Sequence, residues 1–132
     1  QGAILKEADI QNARLVEADL RSTNFNDTNM QEVNLENAVF GVSTKLEETY
    51  FKGSSVREVD FSMIPQIVDH LSVLFGDAST RLPHGINAPD HWPKFDLDWR
   101  DFDREWEKWK ADPDNYVPPD PPPPSDEDEV PF

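Results

Sequence analysis

Carboxylates are the most abundant reactive side chains of this 132-residue sequence, 27 acidic residues against 12 basic ones. Glu7, Asp27 and Glu48 recur 20 and 21 residues apart. If the backbone stacks such positions, their charges lie about 5 Å from one another. A column of that kind suits a basic partner or a cation, or is simply a solvated edge. Catalytic carboxylates need more, a pocket that shifts their pKa values. The three histidines, His70, His84 and His91, have Asp77 and Asp90 nearby. Zinc requires three or four converging ligands at short spacing. His84 and His91 stand seven apart without a cysteine, so we expect no metal site, and His91 beside Trp92 reads as a packed loop anchor. With no nucleophile–base pair and no phosphate-cradling glycine loop, we expect no catalytic residue and no cofactor. The chemistry on offer is binding.

Charge narrows the partners. The formal net charge is −15. Residues 1–61 hold 11 acidic and 6 basic residues, a balance of −5, and the rest hold 16 and 6, a balance of −10. That surface repels nucleic acid and anionic membranes. The absence of cysteine excludes disulfides and thiolate sites. No apolar run reaches membrane-spanning length.

These side chains must be positioned by something with a period of five. In residues 1–40 the large apolar residues are Leu5, Ile10, Leu15, Leu20, Phe25, Met30, Leu35 and Phe40. Two places before each stands a small or short residue: Ala3, Ala8, Ala13, Ala18, Thr23, Thr28, Val33 and Ala38. Between them comes a mostly polar residue, often Asp or Asn, as at Asp9, Asp19, Asn24, Asn29 and Asn34. An α-helix turns about 500° in five residues, leaving successive large residues about 140° apart around the axis. A strand, with period two, sends alternate ones to opposite faces. Only a chain that corners every five residues aims them all inward, and four corners make a coil of twenty.

This pattern resembles the pentapeptide-repeat family over residues 1 to about 61. The resemblance implies a mainly β fold, a right-handed quadrilateral β-helix with the central residue and the one two before it inside. After Phe40 the register slips: "GVSTKL" takes six residues to reach Leu46, then Phe51, Val56 and Phe61 resume the fives. We read a one-residue bulge, with Gly41 supplying backbone angles closed to other residues. The expected columns are Leu5–Phe25–Leu46, Ile10–Met30–Phe51, Leu15–Leu35–Val56 and Leu20–Phe40–Phe61, about three coils rising roughly 14 Å.

Beyond the repeats the spacing of Ile64, Ile67, Val68, Leu71, Leu74 and Phe75 predicts an amphipathic helix over 62–76, started by Ser62 and stopped by Gly76. It is placed as a cap across the last coil, with dimerisation as the alternative. A Pro/Gly-rich connector covers 77–95, similar to the tail of some proteobacterial pentapeptide-repeat proteins. A second helix over 96–110 carries Trp99, Phe102, Trp106 and Trp109 on one stripe. That stripe either packs on the solenoid or forms a docking face. Residues 111–132, acidic and proline-rich, read as polyproline II or disorder.

The reading is a non-enzymatic scaffold or protein-interaction module. It is taken as the C-terminal part of a larger pentapeptide-repeat protein, with a protein partner and no direct nucleic-acid binding. It is placed in the cytoplasm, with tethering to a membrane through a segment ahead of Gln1 as an alternative. Candidate partner-binding residues are Glu7, Asp27, Glu48, Trp99, Trp106 and Trp109. The rival function, implied by some family members, is an acidic DNA mimic that binds type II topoisomerase in the manner of gyrase protection.

Overall fold

A computed structural model describes Leu5 and residues 7–121. Its organising feature is a ladder. Parallel bridges join Asp9 to Asn29, Arg14 to Asn34 and Asp19 to Val39, each twenty residues on. Past the slip, Asn24–Lys45, Asn29–Tyr50 and Asn34–Ser55 are twenty-one apart. The chain therefore returns over itself every four repeats.

Each place in the repeat has a physical job. The amide three residues past a central residue donates back to that residue's carbonyl, as Ala8 does to Leu5 at 2.8 Å and Thr28 to Phe25 at 3.0 Å. This turn makes the corner. Its third residue has positive φ: Glu7 at 64°, Asp27 at 59° and Glu48 at 55°, with six more non-glycine residues like them and Gly53 at 85°. The Asx residue braces the same corner through its side chain. Asn24, Asn29 and Asn34 accept through Oδ1 from the amides of Asn26, Gln31 and Glu36 at 3.0, 3.2 and 3.0 Å, the local bond for which Asx residues are favoured in turns.

The small residue faces inward, and at Thr28, Thr44, Thr49 and Ser54 its hydroxyl ties two coils together. Thr28 donates to the Leu5 carbonyl at 2.6 Å, Thr44 to Leu20 at 2.9 Å and Thr49 to Phe25 at 2.9 Å. Ser54 does the same to Met30. Central residues fill the axis. From Leu20 onward they are all buried, and Phe40 meets Phe61 with ring centroids 5.2 Å apart. Leu5, Ile10 and Leu15, in the first coil, are only partly buried.

The slip is absorbed differently from the expectation. Gly41 does not adopt positive φ; among the described glycines only Gly53 and Gly85 do. The corner closes instead by Thr44 N–H to Gly41 C=O at 3.0 Å, while the Gly41 amide donates to Thr44 Oγ1 at 3.0 Å. Glycine is needed there for closeness, since a Cβ would meet Arg21 Cγ at 3.2 Å and Arg21 Cβ at 3.3 Å.

The coils do not end at Phe61. Strand β1 (Ser54–Ser55) pairs in parallel with β2 (Leu74–Phe75), and Asp60 bridges to Arg81. Residues 62–82 thus form a fourth layer. Its wall includes a 3₁₀ helix, Pro65–Val73, with Ile64 at its N-cap. This corrects the 62–76 amphipathic helix. Ser62 does not cap it, Leu74 and Phe75 leave it for the sheet, and it sits in the wall rather than across the end. Tertiary pairing explains the difference: Gly53 N–H to Val73 C=O at 2.9 Å and Val56 N–H to Phe75 C=O at 2.8 Å hold the segment to coil spacing. Ile64, Ile67, Leu71 and Leu74 are buried from this wall.

At Gly76 the column of Leu15, Leu35 and Val56 lacks a side chain. Trp92, fully buried, takes the space. A Cβ on Gly76 would meet Trp92 Cζ3 at 2.8 Å and Thr80 Oγ1 at 2.7 Å. Trp92 Nε1 donates to the Leu74 carbonyl at 2.8 Å. The connector therefore supplies the end cap that the sequence reading assigned to the first helix. Helix α1, Trp99–Ala111, is capped by Asp98, whose carboxylate accepts from the Asp101 amide at 2.8 Å. It packs along the flank of the coils. Residues 122–132, where the end of the acidic tail falls, lie outside the described residues.

Candidate interaction surface

The carboxylate column is set by the corners. Glu7, Asp27 and Glu48 each occupy the positive-φ place of a corner, which points their side chains outward. Glu7 and Glu48 are exposed and Asp27 is half-buried. The Asp27 carboxyl, hydrogen-bonded to that of Glu48 and adding its negative charge, pushes the Glu48 pKa up. Beside this corner runs a groove of about 570 Å³ lined by Asn26, Glu47, Glu48, Gln66, Asp69 and His70, among others. The acidic groups are thus grouped on one ridge. Charge on the neighbouring sides is paired instead: Asp19 is held down to about 2 by its hydrogen bond from Arg21, and Arg57 bonds to Glu36.

The tryptophan stripe divides. Trp106 and Trp109 are buried, which removes them from any docking face. Trp106 Nε1 donates to the Gly53 carbonyl at 2.8 Å. Trp109 stacks on Phe75 at 5.3 Å and on His91 at 5.1 Å, and Phe102 meets Phe75 at 5.2 Å. Burial of these rings against β2 and the connector is worth several kcal/mol on area alone, about 1.5–3 for each large side chain. Trp99 remains 56% exposed, with Arg100 5.2 Å over its ring. It opens α1, one turn before Phe102, and is the exposed member of the stripe.

The histidines go to separate jobs. His70 lies edge-on to Phe51 at 5.0 Å, and His91 hydrogen-bonds the Leu74 carbonyl at 2.7 Å. Burial depresses both pKa values. Among the described residues no group of three His, Asp or Glu side chains is placed to hold a metal ion. Two polar residues have roles that the sequence reading did not assign. Asp77 is buried; it accepts from the Ser79 amide at 2.8 Å and the Leu97 amide at 3.0 Å, pinning the connector to the fourth layer. Glu105 is buried on α1 and accepts from the Tyr116 hydroxyl at 2.8 Å, which helps raise that phenol's pKa after desolvation. Asp77 directly follows Gly76, at the place Gly41 holds after Phe40, and its bond from the Ser79 amide repeats the two-residue Asx brace of the earlier corners.

Stacked coils with a packed axis and outward corners define a β-solenoid. Residues 3–41 match the family described as Pentapeptide repeats, in eight copies. The match stops at the slip, whereas the ladder of bridges runs on to Arg81. No curated protein matches this sequence. No helix among the described residues is long and apolar enough to cross a membrane.

Proposed function

We propose that the chain is a non-enzymatic protein-interaction module whose acidic ridge, Glu7, Asp27 and Glu48, receives a basic partner. The observation that carries this reading is the pairing of a filled axis with an outward carboxylate column. Among the described residues the axis is filled by side chains from Leu20 to Phe61. On the ridge the Asp27 carboxyl, through its hydrogen bond to Glu48 and then its negative charge, raises the Glu48 pKa. A cationic side chain laid between them neutralises that charge, and the groove lined by Glu47, Glu48 and Asp69, with Lys45 also in its wall, remains net negative. The repeat family supports such a role, being one of structural and interaction proteins rather than enzymes.

The test uses a lysine- and arginine-rich peptide and titrates it against the chain at rising salt. Binding should weaken steeply with salt, and Glu7→Gln, Asp27→Asn and Glu48→Gln together should remove most of it. Trp99→Ala should leave it unchanged. If instead Trp99→Ala weakens binding and the triple variant does not, docking belongs to the start of α1 and the ridge is only solvated.

A further inference from the structure

We propose that a break in the backbone ladder between Val39 and Asp60 is a binding cleft for a primary amide, the asparagine or glutamine side chain of a partner protein. Glu7, Asp27 and Glu48 do not line this cleft, so the proposal does not depend on what the acidic ridge engages.

Backbone accounting locates the break. Elsewhere on this side of the solenoid two hydrogen bonds make each rung. Leu20 N–H donates to the Val39 carbonyl at 2.7 Å and Val39 N–H to the Ala18 carbonyl at 2.8 Å, which joins Asp19 to Val39. Phe61 N–H donates to Arg81 at 2.7 Å and Arg81 N–H to Val59 at 2.9 Å, which joins Asp60 to Arg81. By the same pattern Val39 and Asp60 would be joined by Phe40 N–H to the Asp60 carbonyl and by Asp60 N–H to the Ala38 carbonyl. Neither bond forms, and no bridge joins the two residues. Those two amides and two carbonyls, with the Phe40 carbonyl beside them, make no hydrogen bond to any described residue. Ala38 and Phe40 are buried. Buried backbone groups are paired in more than about 90% of cases, so idle ones gathered in one place point to a partner from outside.

The slip produces the break. After Phe40 the corner closes on the Gly41 carbonyl, whereas after Phe61 it closes on Phe61 itself, by Ile64 N–H at 2.9 Å. This side of the second coil is therefore one residue longer than the side stacked on it. A cleft of about 290 Å³ lies between the two. Ala38, Phe40 and Asp60 line it, together with Val39 and Met63, which are 47% and 68% exposed.

Donor and acceptor chemistry selects the occupant. A guanidinium or ammonium group only donates, and leaves the Phe40 and Asp60 amides idle. The carboxylates beside the cleft hold little for a cation either, since Arg57 lies 3.3 Å from Glu58 and Arg81 3.9 Å from Asp60. A carboxylate only accepts, leaves the carbonyls idle, and is repelled by a chain of formal net charge −15. A whole strand does not fit, because Phe40 and Phe61 still meet with ring centroids 5.2 Å apart. A side-chain amide carries one acceptor oxygen and two donor N–H groups. It supplies both kinds of missing partner from one planar head, and Val39 and Met63 offer apolar cover for its stem.

The experiment titrates the full chain with propionamide and follows its amide NMR shifts. The Phe40 and Asp60 resonances should move saturably. Propionate and ethylguanidinium should not move them, and N-methylpropionamide, with the single N–H of a peptide group, should bind several-fold more weakly. Hydrogen exchange should find the Phe40 and Asp60 amides unprotected while those of Val39 and Phe61 are protected. Deleting Val42, 72% exposed, restores the five-residue step from Phe40 to Leu46. The ladder should then close, with the Phe40 and Asp60 amides gaining protection and the propionamide shifts lost. If the shortened chain does not fold, the three comparison probes and the exchange of the unaltered chain decide the matter. The proposal is overturned if propionamide gives no saturable shift, if propionate or ethylguanidinium does as well, if the two amides are already protected, or if binding survives closure of the ladder. Equal binding of N-methylpropionamide would overturn the side-chain assignment in favour of a backbone amide.

Discussion

The coils of residues 5–61 and the fourth layer of residues 62–82 share one stacking geometry and almost no sequence pattern. In the coils every fifth residue is large, every corner has a positive-φ residue where the fives hold, and the Asx residue braces the turn. In the fourth layer a 3₁₀ helix replaces part of the wall, Gly76 replaces a central residue, and the missing ring arrives from Trp92 sixteen places later. What survives is the backbone ladder and the hydroxyl tie, since Thr80 still donates to the Val56 carbonyl at 2.8 Å. The lesson is that stacking demands paired backbone and a filled axis; the repeat is one way to supply them, and a plug from a distant loop is another.

That equivalence can be broken most strongly at the axis. Phe25→Ala and Trp92→Ala each remove a buried ring and should each cost about 3–5 kcal/mol in urea unfolding. Similar losses would make the plug as structural as the repeat. A loss at Trp92 below about 1 kcal/mol would mean that the fourth layer tolerates an empty axis. Gly76→Ala probes the same fit from the opposite direction. Its Cβ collides with Trp92, so the expected cost is about 1–3 kcal/mol for overpacking, with Trp emission shifting to the red.

The hydroxyl ties should match as well. Thr49→Val in the coils and Thr80→Val in the fourth layer each strip a donor from a buried carbonyl, a loss of about 1–3 kcal/mol measured by thermal melts. Unequal losses would show that one region holds its backbone by other means.

Acid separates the regions more finely. Burial holds His70 and His91 below the usual histidine range. The unfolded chain therefore takes up protons first as pH falls. Their contribution is complete above about pH 6.5 and is lost as pH drops through the lower folded values. Tm should fall between about pH 7.5 and about pH 5.5, and the double variant His70→Phe with His91→Phe should flatten that slope. Glu48 has the opposite sign. Its raised pKa means that ionisation opposes folding. Glu48→Gln should raise Tm slightly near neutrality, and that gain should vanish as pH falls through the folded Glu48 value into the carboxylate range. A gain that persisted there would point to something other than the Asp27 charge.

Much of the fold was legible because burial along the axis imposes a period no helix or strand can satisfy. The central residues from Leu20 to Phe61 and the stretch now seen as α1 follow from spacing alone. The positive φ at Glu7, Asp27 and Glu48 was not legible, because nothing in a glutamate or aspartate announces it. The carboxylate ridge was visible as a column, but its contrast with the paired charges of Asp19 with Arg21 and of Glu36 with Arg57 required coordinates.

By itself the sequence determined the coil, since five-residue spacing of large side chains and Asx-braced turns are local and repeat. It also determined that α1 has one aromatic face with Asp98 ahead of it. Only the tertiary structure decided which of those aromatic rings are spent inside. Trp106 finds the Gly53 carbonyl and Trp109 finds Phe75 and His91, while Trp99 finds no such cover. It likewise decided that residues 62–82 become a layer and that Trp92 fills the place Gly76 leaves. Those choices depend on surfaces brought together from distant parts of the chain, and no local propensity encodes a contact whose other half lies sixteen or fifty-three residues away.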